Sequence, residues 1–433
     1  MALHRLGADD VKVHMLYGKK GKSVEFPDSR TTIIRPKPVD AVPDERDAIL
    51  QALRKPIGSP PLRELVSRDD SVAIVFSDIT RPMPNKRVLP VLLKELNDVL
   101  ADQIVLINAL GTHRPNTPGE LVDLLGAEVV KRYPVIQHDC HDASNLINLG
   151  KSSRGNEIWV NRAYIESTVR ILTGFIEPHL FAGFSGGPKA VLPGIAGAEI
   201  IFSNHGPDMI GDPRSGFGRT EGNPVWEEIF EVATLTDPTF LLNVTLTHNR
   251  HITGVFAGDL QQAHEAGVEF LKRTAMIPVD GLFDIAVSTS GGYPLDISMY
   301  QSVKGIAVAA NIVRDGGSIL LVSECQEGLP DYGQYGDIMR MADTPEDLLA
   351  MVHHPGFSMQ DQWDAQIQAQ ICQRLKLHIH SDGLTDREIR QVFGIPCRDV
   401  ERTVATLVRE YGPEARVAVF PFGPLAVPYM NGA

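Results

Sequence analysis

Short runs rich in β-branched residues alternate with longer amphipathic segments along the chain, and this alternation predicts an α/β protein. The segments predicted as strands are 71–76, 103–110, 169–175, 283–290, 317–323 and 415–422. The segments predicted as helices are 86–101, 117–131, 223–234, 258–274 and 299–315.

The segment MIPVDGLFD, residues 276–284, combines Pro and Gly with the start of a new strand, so we expect a domain boundary near it. We predict an N-terminal α/β domain over residues 1–275 and a C-terminal α/β domain over residues 276–412. We assign residues 413–433 to a C-terminal tail, and the sequence leaves open whether its strand packs back into the first domain. The predicted fold is therefore two α/β domains with the active site in the cleft between them.

Composition and charge narrow the class of protein. The net charge of −13 over 433 residues argues against nucleic acid or a membrane as the main partner. No apolar run is long enough to span a bilayer, and the N-terminal MALHRLGADD lacks the apolar core of a signal peptide. The four cysteines show no paired short spacing, which favours neither disulfides nor a zinc site. We expect a cytoplasmic protein.

Polar and ionisable residues crowd the turns after four predicted strands. These turns read SDITRPMP, GTHRP, IEPHLFAGFSGGPK and GGYPLDISMYQSVKG. Ligands of open α/β sheets bind beyond the carboxyl ends of the strands, so the four turns predict one shared site.

The stretch GFSGGPKAVLPGIAG resembles a phosphate-binding loop only superficially. A P-loop requires glycine before its lysine and a hydroxyl after it, but Pro188 and Ala190 stand at these positions. The amides of Ser185, Gly186 and Gly187 could still form a nest for an anion, the alternative being a tight turn with a solvated lysine.

Several side chains in the turns suit proton transfer, metal binding and carboxylate binding. They are His113, His179, His205, Arg81, Lys189 and Lys304. HDCHD, residues 138–142, also gathers possible ligands, but without a recognised metal-site spacing, so we favour a structural or surface role for it.

The ordered motifs SDITRP, GTHRP, EPHLFAGFSGGPKAVLPGIAG, SNHG and YQSVKG resemble those of the nickel-pincer lactate racemase family, from about residue 70 to 330. The resemblance implies a nickel-pincer nucleotide, pyridinium-3-thioamide-5-thiocarboxylic acid mononucleotide, covalently bound to Lys189 as a thioamide. It implies His205 as the protein ligand of nickel and Asp78 as a further cofactor contact. The cofactor's phosphate would lie on the loop of Ser185, Gly186 and Gly187.

The resemblance also implies the remaining roles. His113 and His179 would be the two acid/base residues, on opposite faces of the substrate. The residues expected to bind or enclose the substrate are Arg81, Gln301, Lys304, Tyr300 and Trp363. The implied reaction inverts C2 of a small 2-hydroxy acid such as lactate, by hydride transfer through a 2-keto acid. The implied partners are this acid and the enzymes that make the cofactor.

Two other classes of protein remain open at this point. A non-catalytic protein that binds a carboxylate or a nucleotide would not need the paired histidines. A hydroxy-acid enzyme that uses ordinary proton abstraction would need neither nickel nor a covalently modified lysine.

Overall fold

The computed structural model describes residues 10–330 and 333–430. The strands are β1 (Asp10–Met15), β2 (Lys22–Pro27), β3 (Thr31–Ile33), β4 (Val72–Ser77), β5 (Ile104–Ala109), β6 (Val135–Gln137), β7 (Leu146–Lys151), β8 (Glu157–Asn161), β9 (Val169–Phe175), β10 (Pro178–His179), β11 (Gly183–Phe184), β12 (Phe240–Leu246), β13 (Ile252–Gly258), β14 (Met276–Val279), β15 (Phe283–Ser288), β16 (Val313–Val322), β17 (Lys376–His380), β18 (Ile395–Pro396), β19 (Val417–Phe420) and β20 (Val427–Met430). The α-helices are α1 (Glu45–Arg54), α2 (Asn85–Glu95), α3 (Pro118–Leu125), α4 (Ala127–Arg132), α5 (Arg162–Glu166), α6 (Ala198–Asn204), α7 (Pro207–Gly211), α8 (Pro224–Leu235), α9 (Leu260–Ala275), α10 (Met299–Ala310), α11 (Tyr335–Arg340), α12 (Pro345–Val352), α13 (Gln362–Arg374), α14 (Asp386–Gln391) and α15 (Val400–Tyr411).

The chain folds as two compact units. The middle unit is Pro38–Thr274, and the terminal unit joins the chain from Ala275 onward to the segment that ends at Lys37. The segment before Pro38 therefore belongs with the C-terminal part, whereas the sequence predicted it in the first domain. Residues 1–9 and 431–433 of the predicted domains lie outside the described residues.

The middle unit is built on a six-stranded sheet with the order β13-β12-β9-β4-β5-β6. Its strands are parallel except for β13, which pairs antiparallel with β12. Strand β4 is an unbroken apolar run whose residues are buried up to Phe76, as expected of a parallel strand covered on both faces. Helices α1 and α2 contribute Leu53 and Leu92 to the core against this sheet.

The terminal unit contains a fully parallel six-stranded sheet with the order β18-β17-β16-β15-β19-β3. The final predicted strand, 415–422, does not return to the first domain. All residues of β19 are buried, and this strand pairs with β15 on one side and with β3 on the other. Strand β3 from the N-terminal segment completes the sheet edge, which explains why this segment joins the terminal unit.

Three of the predicted helices differ from the observed ones. The segment predicted as one helix, 117–131, forms α3 and α4, because Gly126 between them adopts a φ of +88° that interrupts the helix. Helix α10 ends at Ala310 and helix α2 ends at Glu95, whereas the predicted ends were 315 and 101. No helix within residues 10–330 or 333–430 is long and apolar enough to cross a membrane. The predicted α/β fold is confirmed.

Candidate active site

Three parallel strands of the middle sheet end at the same edge and carry the predicted chemical residues there. Asp78 and Arg81 follow β4, and His113 follows β5. His179 lies in the two-stranded hairpin β10–β11 that comes directly after β9. Parallel strands expose their carboxyl ends at one edge of a sheet, and the residues of three predicted turns are brought to this edge.

Asp78 and His113 form a close pair although they lie in different turns. The Asp78 Oδ2 atom is 2.8 Å from His113 Nδ1, and Thr80 Oγ1 donates a 2.8 Å hydrogen bond to Asp78 Oδ1. Burial raises the pKa of the Asp78 carboxyl, but His113, Arg81 and Thr80 together hold it below its usual value. The carboxylate therefore fixes the Nδ1 side of the imidazole and leaves Nε2 for other contacts.

Asp78 also has protein partners that the sequence did not predict. The residue is only 2% exposed, and each carboxylate oxygen binds a protein group, Thr80 on one side and His113 on the other. The carboxylate therefore orients an imidazole, and its predicted contact with a cofactor stays a prediction.

The orientation of His179 is set within its own hairpin. The backbone N–H of Ala182 donates to His179 Nδ1 at 3.3 Å, so Nδ1 faces the hairpin. The ring of Phe181 lies 4.5 Å from the His179 imidazole, centroid to centroid, and the two ring planes are 80° apart. This perpendicular arrangement is one of the preferred geometries of an aromatic pair.

The same Phe181 ring contacts two further predicted residues. Its centroid lies 4.9 Å from that of the His205 imidazole, again with an interplanar angle of 80°. The Lys189 ammonium lies 5.5 Å from the ring centroid, within the range of a cation–π contact. One buried aromatic side chain therefore brings His179 and Lys189, which share one motif, together with His205, which lies in another.

His205 is buried at the C-terminal end of α6. Its side chain is 4% exposed, and its backbone N–H donates to the Ile201 carbonyl at 2.9 Å. Burial, reinforced by the nearby positive charge of Lys189, lowers the pKa of the His205 imidazole to about 3. The ring is therefore neutral near pH 7, which is the form of histidine that binds metals.

Lys189 lies in a single 3₁₀ turn, Gly187–Ala190. Two of the amides that were expected to bind a phosphate are already engaged here. The N–H of Ser185 donates to the Glu177 carbonyl at 2.9 Å, and the N–H of Gly187 donates to Asn243 Oδ1 at 2.7 Å. The predicted anion-binding nest therefore does not include the amides of Ser185 and Gly187, because an N–H group that donates to protein is not available to a phosphate.

The glycines of this loop are required by packing. A Cβ atom at Gly186, where φ is +75°, would lie 2.6 Å from Asn243 Oδ1. A Cβ atom at Gly187, where φ is +53°, would lie 2.4 Å from Cδ2 of His264. The buried His264 also contacts the Ser185 carbonyl through Nε2 at 3.0 Å and stacks on Trp226. The sequence did not indicate Asn243 in β12 or His264 in α9, and these two residues fix the glycine loop through their side chains.

His138 of HDCHD has a structural role, as we favoured for this segment. His138 is buried, its Nε2 lies 2.9 Å from the Ala196 carbonyl, and Asn161 contacts its Nδ1 at 3.2 Å. These contacts fix the segment just before α6. Within the described chain, no group of three or more His, Cys, Asp or Glu side chains is arranged to hold a metal ion.

The remaining predicted residues belong to the terminal unit. Gln301 and Lys304 lie one turn apart on α10, where Lys304 Nζ donates to Gln301 Oε1 at 3.2 Å. The Tyr300 ring lies 6.0 Å from that of Tyr335, and Trp363 is buried in α13. That these residues share a cleft with those of the middle unit stays a prediction.

Comparison with known proteins agrees with this arrangement. Residues 17–218 match the family described as the lactate racemase N-terminal domain, and residues 280–427 match the lactate racemase C-terminal domain. A lactate racemase of Lactiplantibacillus plantarum is 34% identical over 88% of this chain and 90% of its own length. A lactate racemase of Thermoanaerobacterium thermosaccharolyticum is 31% identical over 95% of this chain and 97% of its own length.

Solved structures show the same relationship. The lactate racemase apoprotein from Thermoanaerobacterium thermosaccharolyticum superposes with a TM-score of 0.90 at 30% identity, covering 97% of this chain and all of that one. A crystal structure of a Thermotoga maritima protein, 19% identical, has a TM-score of 0.70 over 89% of this chain and 98% of that one, which shows a shared fold alone. Both family domains, two relatives above 30% identity and the strand-end residues agree that this chain belongs to the lactate racemase family and is an isomerase.

Proposed function

We propose that this racemase inverts C2 of a small 2-hydroxy carboxylic acid, lactate or a close relative of it. The named relatives are lactate racemases, which supports this class of substrate. The observation that carries the proposal is the grouping of His179, Lys189 and His205 around one ring, at the sheet edge that also holds His113.

The residues around Phe181 fit the nickel-pincer nucleotide. Lys189 supplies a primary amine for the thioamide, and the neutral His205 beside it supplies a nickel ligand. Because the described residues contain no cluster of three or more ligating side chains, nickel at His205 needs donors from a non-protein group. When bound, this cofactor supplies an acceptor and donor of hydride at C2 of the substrate. The engaged amides of Ser185 and Gly187 are not part of the proposal.

The two histidines are proposed to move the hydroxyl proton. With Nδ1 of His113 held by Asp78 and Nδ1 of His179 facing Ala182, each imidazole directs Nε2 away from its anchor. One imidazole takes the proton of the substrate hydroxyl as C2 becomes a keto carbon. The other returns a proton to the oxygen when the opposite face of C2 is reduced. Proton transfer by a positioned group contributes about 10²–10⁴-fold to a rate.

The carboxylate of the acid is proposed to be held by Arg81, Gln301 and Lys304. The planar guanidinium of Arg81 can bind both carboxylate oxygens, and the pair on α10 adds an amide and an ammonium. Tyr300 and Trp363 are proposed to enclose the substrate.

Chiral chromatography of single-handed 2-hydroxy acids tests the proposal. The wild type is produced together with the cofactor-making enzymes, with Lys189→Arg as the matched control, since arginine keeps the charge but cannot form the thioamide. We expect the wild type to bring lactate or a related acid to equal amounts of both hands and the variant to be inactive. Binding of the acids without inversion by the loaded wild type would favour a non-catalytic protein instead.

A further inference from the structure

We infer that Phe181 is a positioning residue that holds the His179 imidazole, the Lys189 ammonium and the His205 imidazole in one arrangement around its ring. The inference rests on the proposed function and adds a residue to it. The distances from the ring centroid are 4.5 Å to His179, 4.9 Å to His205 and 5.5 Å to the Lys189 nitrogen. The proposed roles of the three residues differ: His179 transfers a proton, Lys189 carries the cofactor and His205 binds nickel. The Phe181 ring contacts all three.

The Phe181 ring is itself held in place. The side chain is 4% exposed, and the carbonyl of Phe181 accepts a 2.8 Å hydrogen bond from Asn223 Nδ2. Asn223 is fully buried and caps α8, because its Oδ1 accepts from the backbone N–H of Val225 at 3.0 Å. The backbone that carries the ring is therefore anchored to a helix outside the hairpin.

The geometry of the contacts makes an aromatic ring necessary. Both imidazoles lie perpendicular to the Phe181 ring, and an edge-to-face contact restricts orientation as well as distance. In protein without cofactor the Lys189 ammonium is also attracted to the ring through its quadrupole, which an aliphatic side chain lacks. In loaded enzyme, where Lys189 is proposed to be a neutral thioamide, the ring acts on the two imidazoles. A shift of about 1 Å in a catalytic group can cost about 10²-fold in rate, so losing the ring should affect turnover strongly.

A second phenylalanine of the same hairpin provides a matched control. Phe184 in β11 is fully buried, but it packs against Ile176 and Val268 in a small apolar cluster. Replacing either phenylalanine by leucine removes a buried ring from the hairpin. The Phe181 ring contacts the two imidazoles and Lys189, whereas the Phe184 ring contacts Lys272. A purely structural role for Phe181 therefore predicts the same outcome for both variants.

Side-chain NMR of His179 and His205, in protein without cofactor, measures directly whether each imidazole is held in one orientation. At one fixed pH, ¹³C and ¹⁵N ring signals of His179 and His205 are assigned with His179→Gln and His205→Gln. We expect one sharp set of signals for each ring in the wild type, in Phe181→Tyr and in Phe184→Leu. In Phe181→Leu, and in Phe181→Met if the leucine variant does not fold, we expect both rings to give broadened or multiple signals. Single, sharp signals from both rings in the folded ring-less variant would overturn the inference.

Kinetics with loaded enzyme provide the second readout. We expect Phe181→Leu to lower kcat on the order of 10²-fold with little change in KM, because the substrate-holding residues are untouched. Phe181→Tyr should restore most of the rate. Equal losses of kcat in Phe181→Leu and Phe184→Leu would also overturn the inference. If no acid is racemised by the wild type, the proposed function fails, while the NMR result still decides the role of Phe181.

Discussion

Asp78→Asn is the substitution that tests the role of the Asp78–His113 pair most sharply. Thr80 donates to Asp78 Oδ1, so the oxygen of the new amide should stay on Thr80 and its NH₂ group should face His113 Nδ1. An NH₂ donor requires Nδ1 to be an acceptor, which moves the proton of a neutral imidazole to Nε2. The substitution therefore keeps the shape of the site while it removes the charge and reverses the tautomer of His113.

The size of the effect follows from the contact that is lost. Asp78 Oδ2 and His113 Nδ1 are 2.8 Å apart at a carboxylate that is 2% exposed, and a hydrogen bond to a charged group is worth about 1.5–3 kcal/mol. At about 1.4 kcal/mol per tenfold, its loss should lower kcat by roughly 10- to 150-fold. Thr80→Val is the comparison variant, since it removes the other hydrogen bond of the same carboxylate but leaves the Asp78–His113 contact and the His113 tautomer in place. Its loss of kcat should therefore be smaller than that of Asp78→Asn.

The assay measures kcat of the loaded enzyme by chiral chromatography and the His113 tautomer by ¹⁵N NMR. We expect the proton on Nδ1 in the wild type and in Thr80→Val, and on Nε2 in Asp78→Asn. A kcat within about twofold of wild type, with the tautomer reversed, would refute the proposed use of His113 Nε2 as a base.

Four further substitutions test other parts of the site. His205→Ala should lose bound nickel, measured by elemental analysis of loaded protein, whereas His179→Ala should retain nickel and lose about 10²–10⁴-fold in kcat; retention of nickel by His205→Ala would contradict the ligand assignment. Arg81→Lys keeps the charge but not the planar fork, so kcat/KM should fall on the order of 10²-fold, and a wild-type value would show that Arg81 does not hold the carboxylate. Burial lowers the pKa of His264 from 6.5 to about 4, so the wild type keeps its full stability above pH 6.5 and loses on the order of 3 kcal/mol of it as the pH falls to 4. Urea unfolding should show that His264→Gln loses less stability than wild type between pH 7 and pH 5, and identical pH profiles would disprove the buried neutral state of His264.

The elements that position the site could be predicted because their signals are local. Strands β4, β5 and β9 are apolar runs followed directly by polar turns, so the edge that carries Asp78, His113 and His179 follows from the chain itself. The α/β class was predictable for the same reason. The membership of β3 was not, because its pairing with β19 joins segments at opposite ends of the chain.

The contacts that set the chemistry of the site could not be inferred from spacing. The contact between Asp78 and His113 was not predicted, because nothing in the turn of Asp78 indicates a partner that follows the next strand. The amides of the glycine loop were assigned to a phosphate because their acceptors, such as Asn243, lie far along the chain. Phe181 lies in the same motif as His179 and Lys189, so the sequence could have indicated its role. It was overlooked because an apolar residue at such a position is usually interpreted as part of the hydrophobic core.

Racemisation in D₂O distinguishes hydride transfer at C2 from proton abstraction. Loaded enzyme is given one hand of an accepted 2-hydroxy acid with protium at C2, and the opposite hand is isolated early and analysed by mass spectrometry. Hydride transfer predicts protium at C2 of this product, because the hydrogen leaves and returns as hydride and does not exchange with solvent. Deuterium at C2 of the product would refute hydride transfer and would show that C2 loses a proton to a solvent-exchanging base.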